Sequence, residues 1–537
     1  MISGPPATGF TRVATGTYQF KKASGLVAVL PIELTIDWKG SRPLDLDGSA
    51  KLVFDSEYMP NTSPRNLHSS CFDLIVIGGG PAGINGAIAA GMLGKRVLLV
   101  EKEAVVGGAG INTGTIPSKT LRETALVLSG SRSRKLFGID LSLRREATIA
   151  DFMCHERRVK SQERQRSEGE LSLRRVTVVQ GNASFVDSHS IRIVEASGVE
   201  AVCRGEKILI ATGSSPLRPP EFHFEDDRIH DSNEILELKV LPKKLVVIGA
   251  GVIGCEYAGT FAALGTEVHL VDGRDTLLSF LDHEISDGLA AAMTENGIQF
   301  HWKAKVLECD STIGENVVIK LSTGATIECD GVLVCAGRSS NTQDLNVSAA
   351  GLTLGKRGLM QVGTNYQSIE APHIYAAGDV IGAPALAATG IEQARVAVSH
   401  AFNEPLACGL SRLLPTGIYT IPEASFVGET EQALIEKGTP YVVGRCRYED
   451  IPRGNIIGDH QGFLKLLYHQ KQMRLLGVHV MGEQATEVVH LGLLGMTMNA
   501  TADLFHQICF NYPTLGDLYK YATYDAMRAA KQFGVSS

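Results

Sequence analysis

None of the chain's ten cysteines stands in a CxxC pair, and none has histidine neighbours at a zinc-type spacing. They lie at 71, 154, 203, 255, 309, 329, 335, 408, 446 and 509. That scatter argues against a disulfide scaffold or a zinc ribbon, and it fits the reduced, buried thiols of a cytosolic protein. Long apolar runs are also missing, since no stretch reaches the ~18–20 residues that span a bilayer. The opening MISGPPATGF has no basic segment ahead of an apolar one, and the modest apolar stretch from Gly25 to Leu34 is broken by Pro31. The expectation is a cytoplasmic protein that neither spans nor anchors to a membrane. Excess positive charge is absent too. The 51 basic residues face 58 acidic ones, and a net charge of −7 leaves little for a dedicated nucleic-acid surface.

What is present is a long globular chain. It has 537 residues, 44% of them hydrophobic and 20% charged, and at roughly 150 residues per domain this suggests three or four domains. Glycine is abundant, at 57 residues without a collagen period, which implies tight turns and close backbone approaches to a ligand. Residues 1–70 read apart from the rest. They hold one alternating stretch, LVAVLPIELTIDW, and then a linker-like segment ending in NTSPRNLHSS. They form an N-terminal extension of unassigned role, with room for a small accessory β element.

From Cys71 the pattern becomes regular. An apolar strand, Leu74–Ile77, leads into Gly78-Gly79-Gly80-Pro81-Ala82-Gly83, an Ala-rich helical stretch and a second strand ending on Glu101. The order recurs at Lys244–Ile248, Gly249–Gly254, Glu256–Leu264 and Glu267–Val271, ending on Asp272. Each is a βαβ unit with a GxGxxG turn: Gly78, Gly80 and Gly83 in one, Gly249, Gly251 and Gly254 in the other. The first glycine makes the tight turn, the second lets a pyrophosphate approach the backbone, and the third packs helix on strand. The terminal acid suits a ribose hydroxyl. Asp272 would repel the 2′-phosphate of NADP unless a cation compensates, and Arg274 lies two residues on, so the pair hints at use of both NAD(H) and NADP(H). Between the units, the mixed-charge run Glu156–Glu170 reads as a solvated helix face.

Three further segments carry a resemblance. Ile210–Pro216, with Thr212 and Gly213, and Val334–Arg338, with Gly337 and Arg338, resemble the ATG and AGR turns of two-dinucleotide flavoproteins. Ile374–Asp379, with Gly378, resembles their second FAD segment, whose aspartate bonds the ribityl chain. Gly107–Lys119 (GGAGINTGTIPSK) then resembles the redox segment of the pyridine-nucleotide-disulfide oxidoreductases, and the resemblance extends over residues 71–537.

The resemblance implies an α/β fold like that of glutathione reductase, with two Rossmann-like domains for FAD and NAD(P) and a C-terminal α+β dimerisation domain. The implied boundaries are 71–217 for the first FAD part, 218–337 for the nicotinamide nucleotide, 338–411 for the second FAD and central part, and 412–537 for the interface. It implies one tightly bound FAD per subunit, exchanging NAD(H) and NADP(H), no metal, and a homodimer or higher homo-oligomer. Around the FAD it places Gly78, Gly80, Gly83, Glu101, Lys102, Gly108, Gly110, Thr115, Lys119, Ala183, Thr212, Gly213, Gly337, Arg338, Gly378 and Asp379. Around the second nucleotide it places Gly249, Gly251, Gly254, Glu256, Asp272 and Arg274. Lys119 matches the family lysine near flavin N5, and Glu256 matches the glutamate that pairs with it.

Two departures are decisive. Disulfide reductases of this family carry G-G-x-C-x-x-x-G-C-x-P-S-K, and here the cysteine positions hold Gly110 and Thr115, so no dithiol relay is possible. Near the C-terminus, the family histidine before Pro-Thr is replaced by Tyr512, whose ordinary pKa of about 10 makes it unfit for the same proton shuttle near neutrality. Losing the thiols removes the need for their base. Thr115 followed by IPSK, together with Phe510–Thr514 (FNYPT), resembles the soluble (Si-specific) pyridine nucleotide transhydrogenases, although these often keep the first cysteine. The implied activity is ping-pong hydride transfer between NADPH and NAD⁺, with Lys119, Glu256 and Tyr512 as candidate catalytic residues. An NAD(P)H oxidase or quinone reductase, and a non-catalytic flavoprotein sensor, remain as alternatives.

Overall fold

The computed structural model describes residues 12–21, 27–36, 67–129, 149–312, 314–405 and 409–533. Contacts divide the chain into two units, Met1–Tyr58 and Met59–Ser537. In the first unit, the strands Arg12–Lys21 and Val27–Ile36 form an antiparallel pair, with Arg12 opposite Ile36 and Lys21 opposite Val27. The second of these strands falls on the alternating stretch seen in the sequence. The linker-like segment lies outside the described residues as far as 66. Its last residues do not behave as a linker: Leu67 is buried, and its carbonyl accepts a hydrogen bond from Cys203 Sγ at 3.4 Å.

The second unit is built on three main sheets. In the first, Cys71–Ile77 runs parallel to Val97–Glu101 on one side and to Glu200–Ile210 on the other, and Thr177–Gln180 extends the row. Leu74–Ile77 is apolar without alternation because both of its faces are covered: Leu74 and Val76 pack with Ile84 and Ala87 of a helix, and Ile75 and Ile77 with Phe185, Ile191 and Met360. Ile374–Ala376 returns from far downstream to pair with Glu200–Ile210, bringing Gly378 and Asp379 back to the first glycine turn. The second sheet is wholly parallel, in the order Ile229–Asp231, Gly331–Val334, Lys244–Ile248, Glu267–Asp272, Ile298–Trp302. The third is antiparallel, in the order Thr416–Ile418, Glu423–Gly428, Leu475–Gly482, Phe463–His469, Tyr441–Arg447. The helices Ala485–Thr497 and Asp517–Lys531 pack on it.

One hydrophobic core joins these parts. It packs Leu121 and Ala125 of the helix Thr115–Leu128 with Val247 and Leu270 of the second sheet and Ile418 and Met481 of the third. That shared core fixes the helix bearing Lys119 relative to the one bearing Glu256. A buried charge cluster also ties the second sheet's helix to the third sheet. Lys465 Nζ lies 2.7 Å from Asp282, 3.1 Å from Glu284 and 2.5 Å from Glu431, so a lysine occupies the centre of the three carboxylates. No helix among the described residues is long and apolar enough to cross a membrane.

The charge-rich helix, Ile149–Leu173, presents the run Glu156–Glu170 to solvent as expected, apart from Glu156, and buries apolar residues at its two ends. Arg157, Arg158 and Arg166 are exposed, yet Phe152, Met153, Glu156 and Leu171 are buried. Glu156 is tolerated there because Lys160, one turn on, pairs with it at 3.0 Å. The same helix sends Arg164 inward, where Nε donates to Asn112 Oδ1 at 2.5 Å.

Candidate functional site

The first glycine turn is closed by sterics. Gly78 has φ +103°, and a Cβ there would sit 2.4 Å from the Ala211 carbonyl oxygen; at Gly83 a Cβ would sit 1.8 Å from the oxygen of Gly78. Gly80 differs, since its nearest neighbour would be Gly108 Cα at 3.9 Å, which leaves the backbone open on that side. Pro81 begins the helix Pro81–Met92, whose N-terminus has no side-chain cap, so its unpaired N–H groups are free for an anion. The buried Glu101 braces the turn: Oε2 accepts from Gly79 N–H at 2.6 Å and Oε1 from Glu103 N–H at 2.9 Å. Burial raises its pKa against the pull of those two bonds.

A cavity of about 660 Å³ opens over this turn. Gly78, Gly80, Glu101 and Lys102 line one part of it, and Gly108, Gly110 and Thr115 another. Ala183, Thr212, Gly213, Arg338, Gly378 and Asp379 also line it, whereas Gly83, packed under the turn, and Lys119, turned to Glu256, do not. Ser214 Oγ donates to Asp379 at 2.7 Å, and Arg338 donates through Nε to Ser214 Oγ at 2.8 Å and through Nη2 to the Ser214 carbonyl at 2.6 Å. Gly337, at φ +119°, turns the chain into Arg338 and does not itself line the cavity. Burial lowers the Arg338 pKa, and Asp379 opposes that effect. Two lining groups missed in the sequence are Arg164 and Asn233. Thr212 Oγ1 and Asn233 Oδ1 are buried with no hydrogen-bond partner among the described residues. A glycine-floored turn, a braced acid and two orphaned polar atoms around one long cavity fit a dinucleotide.

No cysteine lines this cavity among the described residues. Burial pushes Cys203 and Cys309 up to about 11 and Cys329, Cys335 and Cys446 up to about 12, so these thiols stay protonated. Gly110 is itself tightly placed, since a Cβ there would meet Pro81 Cγ at 2.4 Å.

One helical turn beyond Thr115, Lys119 reaches across to the second βαβ motif. Its Nζ lies 2.6 Å from Glu256 Oε2, on the helix Val252–Ala263 that follows the second glycine turn. Glu256 is 5% exposed, and its other oxygen accepts from Tyr419 N–H at 3.0 Å. The Tyr419 ring lies 4.9 Å from Lys119 Nζ. One pair thus joins three segments that are far apart in sequence. Arg122, a turn further on and 3% exposed, reinforces the join by donating to the Thr420 carbonyl at 3.0 Å and pairing with Glu423 at 3.1 Å.

The second glycine turn repeats the first. Gly249 also has φ +103°, with a would-be Cβ 2.5 Å from the Cys335 oxygen, and Gly254 would meet the oxygen of Gly249 at 2.0 Å. Gly251 has nothing within 4 Å. Asp272 Oδ2 accepts from Ala250 N–H at 2.7 Å, as Glu101 does from Gly79. Here, however, Arg274 grips the acid as well, through Nε at 2.8 Å and Nη2 at 2.8 Å. Burial alone would raise the Asp272 pKa, but the Arg274 and Ala250 hydrogen bonds outweigh it and hold the carboxyl below its usual value. Tyr512 is not brought to either turn within the single chain; it stands 69% exposed on the loop ahead of the helix Asp517–Lys531.

Residues 72–401 match the pyridine nucleotide-disulphide oxidoreductase family, and residues 414–523 match that family's dimerisation domain. The chain belongs to this family. A soluble pyridine nucleotide transhydrogenase of Mycobacterium tuberculosis is 42% identical to this oxidoreductase over 467 residues, covering 86% of this chain and 99% of its own. One from Vibrio atlanticus is 38% identical over 463 residues, with the same coverage. Among solved structures, a copper complex of the HOCl-induced flavoprotein disulfide reductase RclA of Escherichia coli is similar with a TM-score of 0.76 and 26% identity. It covers 84% of this chain and 99% of its own. The oxidoreductase therefore carries the glutathione-reductase-like fold, uses a flavin and nicotinamide nucleotides, and associates with itself through its dimerisation domain, in which Tyr512 lies.

Proposed function

We propose that this oxidoreductase transfers hydride between NADPH and NAD⁺ through FAD held at the first glycine turn, with no redox disulfide. The observation that carries this is a pairing of presence and absence. Both glycine turns keep the same backbone geometry, while the positions of the family's two redox cysteines hold Gly110 and Thr115. When bound, FAD supplies a carrier that takes hydride from one nicotinamide and returns it to another.

The chain's own residues do the rest. The N-terminus of Pro81–Met92 and the open backbone at Gly80 receive the pyrophosphate, and Glu101 keeps free lone pairs for the adenosine ribose. Asp379, fixed by Ser214, and the unpartnered Thr212 hydroxyl meet the chain between pyrophosphate and ring. Lys119, held by Glu256, sets a cation at the junction of the two nucleotide domains, where it stabilises negative charge developing on the cofactor. The turn at Gly249–Gly254 receives the two nicotinamide nucleotides in succession, so the kinetics are ping-pong. The same reading makes the protein cytoplasmic, where both nucleotides are found, and gives each subunit one FAD.

The test is anaerobic turnover with NADPH as donor and thio-NAD⁺ as acceptor. Formation of thio-NADH matching NADPH loss supports the proposal, and NADPH loss that depends on oxygen overturns it.

A further inference from the structure

We propose that His269 and His301 form a binding site for a divalent cation of the nickel and copper class, which takes one nitrogen from each ring while Glu267 fixes the first ring from behind. The site is separate from the cavity over the first glycine turn, and it does not depend on the hydride-transfer reading.

The two rings come from adjacent parallel strands of the second sheet. In the register of Glu267–Asp272 against Ile298–Trp302, His269 stands beside Gln299 and His301 beside Val271, so both side chains lie on one face. His269 Nδ1 is 2.9 Å from His301 Nε2, although the residues are 32 positions apart in sequence. The other nitrogen of His269, Nε2, is 3.0 Å from Glu267 Oε1, and Lys244 Nζ pairs with the same oxygen at 3.0 Å. An ionised carboxylate only accepts, so the His269 proton sits on Nε2 and its Nδ1 presents a lone pair to His301. His269 is buried, which holds that lone pair in place. His301 is half-buried on the edge strand and gives a cation its way in.

A carboxylate behind a donor imidazole is the arrangement that orients metal-binding histidines and raises their basicity. The cation replaces the proton shared by the two rings. That proton passes to His301 Nδ1, which has no partner among the described residues, so both rings stay neutral. Each ring turns off the line joining the two nitrogens, and water fills the remaining positions. Metal–nitrogen bonds of about 2.0–2.1 Å across a gap of 2.9 Å enclose about 90° at the metal, the cis angle of tetragonal copper(II) or nickel(II). A tetrahedral zinc ion needs the nitrogens about 3.3 Å apart. Magnesium and calcium need oxygen ligands, and the near oxygen of Glu267 is already taken by Lys244 and His269. A bound cation therefore pins the edge strand to the strand that ends on Asp272.

The experiment uses the untagged, flavin-loaded full-length protein and nickel(II), which, unlike copper(II), leaves the exposed thiols of Cys71, Cys154 and Cys509 reduced. Calorimetry is expected to show one tight nickel equivalent per subunit and none for magnesium. His301→Gln removes that equivalent. Glu267→Gln, which never touches the ion, weakens it about tenfold, and it carries the test should the histidine variant fail to fold. Trp302, the residue after His301, reports the location: in a Trp38→Phe background it is the only tryptophan left, and nickel quenches its emission unless His301 is replaced. No tight nickel equivalent, one that survives His301→Gln, or an affinity that Glu267→Gln leaves unchanged overturns the assignment.

Discussion

Lys119 and Glu256 stand 137 positions apart in sequence and 2.6 Å apart in space, and the glutamate's second oxygen holds the backbone of Tyr419. The pair therefore sits where the two nucleotide domains and the C-terminal domain meet. The role in the chemistry proposed for it rests on that place. The lysine is a turn beyond Thr115, which lines the cavity, while the glutamate is just past the first turn of the helix that opens at Gly251.

Lys119→Met is expected to slow NADPH-driven bleaching of the bound flavin by about a hundredfold, with FAD content unchanged. Glu256→Gln should give a smaller loss, because the ammonium remains but is no longer fixed. Stopped-flow absorbance measures both. An unchanged rate in Lys119→Met would reduce the pair to a structural tie between domains.

Restoring the first family cysteine should cost stability. In the present backbone a side chain at position 110 starts 2.4 Å from Pro81 Cγ, and Pro81 belongs to the helix turn that floors the cavity. Overpacking of this kind costs about 1–3 kcal/mol. Gly110→Cys should lower the thermal midpoint and weaken FAD retention together. A variant as stable and as yellow as the parent would show that the loop yields without strain.

The two later glycines of the second turn should separate binding from folding. Gly251 has extended φ of −80° and an open surround, so Gly251→Ala should leave stability within about 0.5 kcal/mol while raising the KM for both nucleotides. Gly254→Ala places a Cβ 2.0 Å from the Gly249 oxygen and should destabilise the whole domain. Thermal melts and steady-state kinetics on both variants check this. Similar melts would contradict the packing argument.

How much of this was legible in the sequence depends on how local the signal was. The glycine turns were plain, because each glycine answers a steric demand set by neighbours a few residues away. Lys119 and Glu256 could be joined only through the family resemblance, since nothing in either segment points to the other. Arg164 was hidden by its own neighbourhood, because a run of mixed charge looks solvated until the helix is packed and one arginine turns to Asn112. Tyr419 and Lys465 gave no signal at all; Lys465 lies in an otherwise apolar strand, FLKLLYH, and meets its three carboxylates only through tertiary packing. Asp272 and Arg274 were seen as neighbours, but spacing could not reveal that the arginine fills the acid's remaining acceptor sites.

The central claim is that nucleotide-to-nucleotide hydride transfer needs no thiol in this chain. It is tested most directly by mixing the purified flavoprotein with NADPH and thio-NAD⁺ under strict anaerobiosis, after alkylation of every accessible cysteine. The account predicts thio-NADH equal to the NADPH consumed, at a rate the alkylation leaves intact. Loss of transfer on alkylation, or NADPH consumption only when oxygen is admitted, would contradict it.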